Sequence, residues 1–286
     1  MNVDATRVYP EEWRDALQAQ LSEPTKWKTV CRVDYSNYKT IHYPYLTDPT
    51  VQTLTRGTVT SPQKITETDE TMTIATGKEL TTFIDWADLA QAMLFKGTDA
   101  AKVQARLLNE QIESAFYADH ANLTDFGVLS IGGGGAATDP ITVSTANVYK
   151  IVTGIKREIG EANGVNLMSS SGVFIVWRYA DFEILEQFAF ANGYSSADAV
   201  LRKGLDGGVE YFGVTHYASN LLAANHVIAG VKGVYNIGIL KDTYGKLIVN
   251  PYNQGDRSGI TFHTRVDYGV KAWTRTKPVL FDVNVS

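Results

Sequence analysis

Residues Thr98–Ala121, TDAAKVQARLLNEQIESAFYADHA, decide how the rest of this 286-residue chain is read. Val103, Leu107, Leu108, Gln111, Ile112, Ala115 and Phe116 recur at steps of three and four, the period that gathers side chains into one stripe of a helix. Strong helix formers fill the stretch, no Gly or Pro interrupts it, and Thr98 and Asp99 are suited to cap its start. At about 1.5 Å per residue it would run roughly 30 Å, the width of a small domain. The opposite face carries Lys102, Arg106, Asn109, Glu110, Glu113 and Asp119. The pattern predicts a spine, with a core on one side and solvent or a neighbour on the other.

Upstream, Phe83–Ala92 leads into this spine, with Asp85 as a helix cap and Asp88 in a first turn, where negative charge suits the helix dipole. Before it, Val51–Ile84 is dense in Thr, with Val59, Ile65, Met72 and Ile74 as its sparse apolar positions. Thr71-Met72-Thr73-Ile74 alternates with period two, which predicts strand. Two such strands would make a long hairpin, largely polar on both faces, and an isolated hairpin of that kind is marginal in water. Its natural support is a partner subunit. The charges Lys64, Glu67, Asp69, Glu70, Lys78 and Glu79 are therefore the expected inter-subunit contacts. The alternative is a solvated surface loop. Residues 1–50 read as an arm, with one short helix at Pro10–Leu21 and poor alternation from Val30 to Tyr45.

Downstream, Gly132–Gly135 and Asp139-Pro140 mark a loop. Ser144–Ala162 is amphipathic, with Val148, Ile151, Val152, Ile155 and Ile159 on one face, and Val173–Trp177 has the length and continuity of a buried strand. A helix at Tyr179–Phe190 and strands at Glu210–Tyr217 and His226–Val234 complete a mixed block. Strand character returns at Leu247–Val249, Ile260–Val270 and Val279–Val283.

The bulk numbers are those of a folded protein: 44% apolar, 20% charged, net charge −5. No basic run offers the clustered cations a dedicated nucleic-acid binder needs. Cys31 is the single cysteine, so no internal disulfide can form. The N-terminal MNVDATRVYPEEWRDAL lacks a basic stretch followed by an apolar run, so no signal peptide is expected, and no apolar run is long enough to span a bilayer. His42, His120, His216, His226 and His263 show no metal-ligand spacing. The tetraglycine is not followed by GK[ST], and Ser169-Ser170-Ser171-Gly172 is not a nucleophile elbow. No catalytic residue, cofactor site or metal site is expected.

The order of these parts resembles the major capsid protein of tailed phages, the Hong Kong 97 type of shell subunit. Thr58–Ile84, closing in Phe83–Gln91, is similar to that family's extended loop, and Leu107–Asp119 to its spine. Ser144–Trp177 resembles the helix and strand that open its axial domain. Gly204–Leu222, His226–Gly230 and Tyr268–Lys271 are similar to its glycine-rich turn and remaining strands. The resemblance implies an α+β subunit with an N-terminal arm (1–50), an extended β-hairpin loop (51–84), a peripheral domain holding the spine helix (85–143 and 246–286) and an axial domain (144–245). It further implies hexamers and pentamers of the chain itself, closed into an icosahedral shell around double-stranded DNA. A scaffolding protein and a portal would be partners, no membrane would be involved, and the chain would reside in the virion after assembly in host cytoplasm. Two other readings share the residues: a nanocompartment shell of the same fold, and an enzyme of unrecognised type.

Overall fold

The computed structural model describes residues 25–86, 97–127, 134–192, 208–254 and 257–286. Its elements in chain order are α1 (Trp27–Val30), β1 (Arg32–Ser36), β2 (Thr40–Leu46), β3 (Glu67–Thr73), β4 (Thr76–Asp85), α2 (Gly97–Ala118), β5 (Thr124–Asp125), α3 (Val148–Glu161), α4 (Val165–Ser171), β6 (Val173–Trp177), α5 (Tyr179–Ala191), β7 (Val209–Tyr211), β8 (Val214–Ala218), β9 (His226–Val231), β10 (Asn236–Leu240), β11 (Leu247–Gln254), β12 (Arg257–Lys271) and β13 (Leu280–Asn284). The helix expected at Pro10–Leu21, Asp88, and Gly132 and Gly133 lie outside the described residues.

The spine is α2. Leu108, Ile112 and Phe116 are buried as its period requires, but the buried stripe is turned from the expected one. Gln111 faces out, while Gln104, Glu113 and Tyr117 face in. Glu113, read on the outer face, is a correction with a clear cause. Its carboxylate accepts the backbone N–H of Lys26 at 2.9 Å and the Tyr117 hydroxyl at 2.6 Å. Gln104 donates to Thr82 Oγ1 and the Phe262 carbonyl and accepts from Thr264 Oγ1. Buried polar groups are tolerated when bonded in this way, and these bonds fasten the spine to α1 on one side and to β4 and β12 on the other.

That fastening also ties residues 27–36, within the stretch expected as an arm, into the body of the subunit. Trp27 and Val30 are buried, and β1 lies parallel to β10 in register Arg32↔Asn236 to Ser36↔Leu240. The first described residues thus form part of a five-stranded sheet. Its longest strand, β12, pairs antiparallel with β4, β11 and β10. Tyr268 pairs with both Ile239 and Thr76, and Gly259–Thr264 pairs with both β4 and β11. It follows that β10 and β11 lie along one side of β12, and β4 lies alone along the other. Asp85, expected as a cap, ends β4 opposite Gly259.

The second sheet has six strands in the order β5-β13-β9-β6-β8-β7. Every residue of β6 is buried, as its unbroken apolar run requires, and the five apolar positions of α3 are buried. The strand expected over Glu210–Tyr217 is instead the tight β7–β8 hairpin. Phe212 and Gly213 turn it, with φ of 56° and 68°, the left-handed pair that matches strand twist. The helix at Tyr179–Phe190 is α5, one residue longer at its end. Among the described residues no helix is long and apolar enough to cross a membrane.

Within this sheet His216 is buried. Trp177 Nε1 donates to its Nδ1 at 3.0 Å and its Nε2 faces the Tyr211 carbonyl at 3.3 Å, so the ring is neutral with its proton on Nε2. Burial lowers its pKa to about 4, partly opposed by the Tyr211 carbonyl. A histidine held below its ordinary value stabilises the fold above about pH 6.5, and that stability is lost as pH falls toward 4. Between pH 7 and pH 5 the loss from this one group should be about 2 kcal/mol in urea unfolding, and His216→Gln should flatten the slope. Ile112→Ala, at a site with no exposure, should lower unfolding free energy by about 2–5 kcal/mol in the same assay.

Candidate assembly surface

The Thr-rich stretch does form strands, but they pair differently from the expected hairpin. β3 pairs antiparallel with β2, from Thr40↔Thr73 to Leu46↔Glu67, while β4 turns away to pair with β12. The hairpin is therefore 40–73, and it takes its first strand from the segment read as arm. The reason lies in Met72 and Ile74, which are buried and hold the end of β3 on the five-stranded sheet. Lys39 O accepts the Ile74 N–H at 2.7 Å and closes the base of the ladder.

Beyond the ladder the two arms stay together through side chains. Thr47 N–H donates to Thr66 O, and the two threonine hydroxyls meet at 3.0 Å. Gln63 bonds Thr50 through its backbone N–H, hydroxyl and carbonyl, and Gln52 reaches Ser61 O. Thr and Gln suit this work because each supplies hydrogen bonds without needing a buried face. What remains outward is apolar as well as polar. Val51, Leu54, Val59 and Ile65 are exposed, Val51 fully.

The base is strapped by the residues that follow β12. Glu70 accepts from Thr274 N–H and Oγ1 and pairs with Lys271 at 3.2 Å. Lys271 also donates to Thr71 O, and Arg275 donates to Leu46 O and pairs with Asp48. Tyr43 packs on Trp273 with ring centroids 4.5 Å apart, and its hydroxyl donates to Asp34. Burial, then the Asp34 carboxylate, pushes the Tyr43 pKa up to about 12.

Under the base lies a pair of glycines. Gly238 and Gly269 face each other across β10 and β12. A Cβ on Gly269 would lie 2.3 Å from the Thr73 carbonyl oxygen, and one on Gly238 would lie 2.6 Å from Met72 Cε. The chain crosses the sheet face here before entering β4, and the crossing needs both positions bare.

The six charges expected at subunit contacts divide accordingly. Glu70 is held within the subunit by the strap. Asp69 meets His42 at 2.6 Å and Glu79 meets His263 at 3.2 Å, both exposed pairs of small worth. Lys64, Glu67 and Lys78 are exposed and carry no side-chain partner among the described residues. Lys64, Glu67, Asp69 and Glu70 ride on the hairpin, whereas Lys78 and Glu79 lie on β4. Nothing in composition singled out Lys271, Thr274 and Arg275, which sit some 200 positions away from their hairpin partners. The alternation at Thr71–Ile74 was the one local signal of the buried foot.

No family model and no curated protein sequence matches the chain. Solved structures do. One from Mycobacterium phage Che8 aligns over 97% of this chain and 97% of its own, with TM-score 0.71 and 16% identity. The capsid of Ralstonia phage GP4 aligns over 100% and 98%, with TM-score 0.63 and 10% identity. The capsid of a native GTA particle aligns over 99% and 97%, with TM-score 0.67 and 11% identity. These likenesses establish a shared α+β fold across the whole chain.

Gly269→Ala should push Thr73 off the sheet, because its methyl group has a backbone oxygen in its way. The expected result is faster proteolytic cleavage within 47–66 and a loss of about 1–3 kcal/mol in unfolding free energy. Unchanged cleavage and stability would show that the crossing does not depend on the bare position.

Proposed function

We propose that this chain is the major capsid protein of a tailed phage, a structural subunit with no catalytic role. The observation that carries the proposal is the hairpin 40–73. Its foot is bolted to the subunit by the strap and the glycine pair, while its far end exposes Val51, Leu54, Val59 and Ile65. A polypeptide that anchors one end of a hairpin so firmly and leaves apolar residues at the other is built to cover a neighbour. Full-length likeness to phage and GTA capsids supports the same reading and favours a virion shell over a nanocompartment.

In this function the five-stranded sheet with the spine helix is the peripheral domain: 85–143 and 246–286 supply the helix, β11 and β12, and β1, β4 and β10 join them from outside those bounds. The six-stranded sheet and its helices, mostly from 144–245 and joined by β5 and β13, are the axial domain. Copies associate as hexamers and pentamers, and the shell encloses double-stranded DNA without reading its sequence. A net charge of −5 suits an inner wall along which DNA is spooled without adhering. A scaffolding protein and a portal complete the assembly in the host cytoplasm. Lys64, Glu67 and Lys78 are the charges free to pair between subunits. Each exposed pair contributes only about 0–1 kcal/mol, yet a closed shell repeats every contact in every subunit.

Replacing Thr50–Gln63 with a short Gly-Ser linker removes the far end of the hairpin and keeps β2, β3, Met72 and Ile74. The variant should retain the unfolding midpoint of the parent while electron micrographs show no closed particles, with scaffold supplied. Normal particles from this variant, or a parent chain that sediments only as a monomer, would refute the proposed role.

A further inference from the structure

Three segments distant in sequence meet at the C-terminal end of the spine. His120 lies in the single turn Asp119–Asn122 that follows α2, His226 opens β9, and Asp282 sits in β13. Strand register makes part of this encounter obligatory. Asn284 is the direct partner of His226 across β13 and β9, so Asp282, two residues along on the same face, lies diagonal to it. His226 Nδ1 is 2.9 Å from Asp282 Oδ1, and His120 Nδ1 is 3.1 Å from Asp282 Oδ2. The two imidazole rings lie 3.9 Å apart, centroid to centroid.

A cation would balance the charge of this cluster where both histidines are neutral. The Asp282 side chain is 9% exposed. Its ion partners among the described residues are these two histidines, each charged only when protonated. A carboxylate so far out of water is costly unless a positive charge faces it. Nearby polar groups are occupied elsewhere: Asp119 accepts from Tyr235 and Asn122, and Asn284 donates to Asp125. Two imidazole nitrogens and one carboxylate oxygen within 4.8 Å of one another supply three of the four donors of a tetrahedral zinc site. Donor atoms around such an ion stand about 3.3 Å apart, given bonds of about 2.0–2.2 Å. Asp282 Oδ2 stands 3.1 Å from both His120 Nδ1 and His226 Nδ1, separations that would need to open only slightly.

We propose that His120, His226 and Asp282 bind a zinc-class divalent cation, with water in the fourth position. Coordination through Nδ1 of each ring replaces the two contacts those nitrogens make with the Asp282 carboxylate. The bound ion clamps the end of the spine to β9 and β13, neighbouring strands of the six-stranded sheet. It therefore acts on the stability of the subunit and asks nothing of the capsid role.

The test uses the purified full-length chain in the assembled form in which it is isolated, stripped with chelator. Zinc titrated by calorimetry should bind at one ion per chain. At a hundredfold excess over Kd it should raise the midpoint of thermal unfolding by about 5 °C. Cobalt as a spectroscopic substitute should give the visible absorption of a four-coordinate nitrogen and oxygen site. His120→Gln and His226→Gln should each weaken zinc binding by at least about tenfold, the loss seen even when only a ligand's own partner is changed. Circular dichroism checks that both variants are folded, and Asp282→Asn gives a third removal if either histidine change fails that check. Failure of the wild-type chain to bind zinc stoichiometrically, or unchanged affinity in a folded variant, would overturn the proposal. Either result leaves the capsid reading intact, since particle formation by chelator-stripped protein is scored separately.

Discussion

A backbone cannot cross the face of a sheet at close range unless the side chains beneath it are missing. Gly238 and Gly269, paired across β10 and β12, supply that gap, and Thr73 passes over it with its carbonyl where a Cβ would otherwise stand. Much of the functional surface depends on this crossing. It lets one continuous segment belong to the hairpin as β3 and then to the main sheet as β4, with no long connection between them. Met72 and Ile74 seal the crossing by burying themselves on either side of Thr73.

The hairpin is consequently rigid at one end and uncommitted at the other. Its foot has a ladder, an aromatic contact and a strap of charged groups, whereas its far end has a few side-chain bonds and exposed aliphatic residues. Stability is graded along such an element, because local opening is cheapest where few apolar contacts and many exposed hydrogen bonds occur. A gradient of this sense fits a part that must keep its direction while its tip adjusts to a neighbouring surface.

The spine helix shows how polar groups can specify packing as well as tolerate it. Gln104 and Glu113 occupy positions a purely apolar stripe would have filled with Leu or Ile. Because each is bonded to a particular backbone or hydroxyl group, the helix cannot rotate or slide without leaving a buried donor or acceptor unpaired, at a cost of about 1–3 kcal/mol per group. Registry between spine, first helix and main sheet is thereby fixed by hydrogen bonds, and the surrounding apolar contacts supply the bulk of the stability.

Local pattern alone determined much of this protein. The helical period around Leu108, the amphipathic face from Val148 to Ile159 and the unbroken run Val173–Trp177 each dictate an element and its buried side, because periodicity and burial are linked by short-range geometry. The order of those elements was enough to suggest a capsid-type subunit. Pairing was not legible. Nothing near Thr40–Leu46 says that this strand, and not β4, will lie beside β3, since a ladder's partner is chosen by which arrangement buries Met72 and Ile74. Glu113 read as a surface charge because its partners, Lys26 and Tyr117, include a backbone amide 87 residues away. The strap at Lys271–Arg275 and the meeting of His120, His226 and Asp282 were invisible for the same reason. Side chains separated by dozens of residues acquire a common chemistry only when strand register and a helix end bring them within bonding distance, and that is decided by tertiary structure.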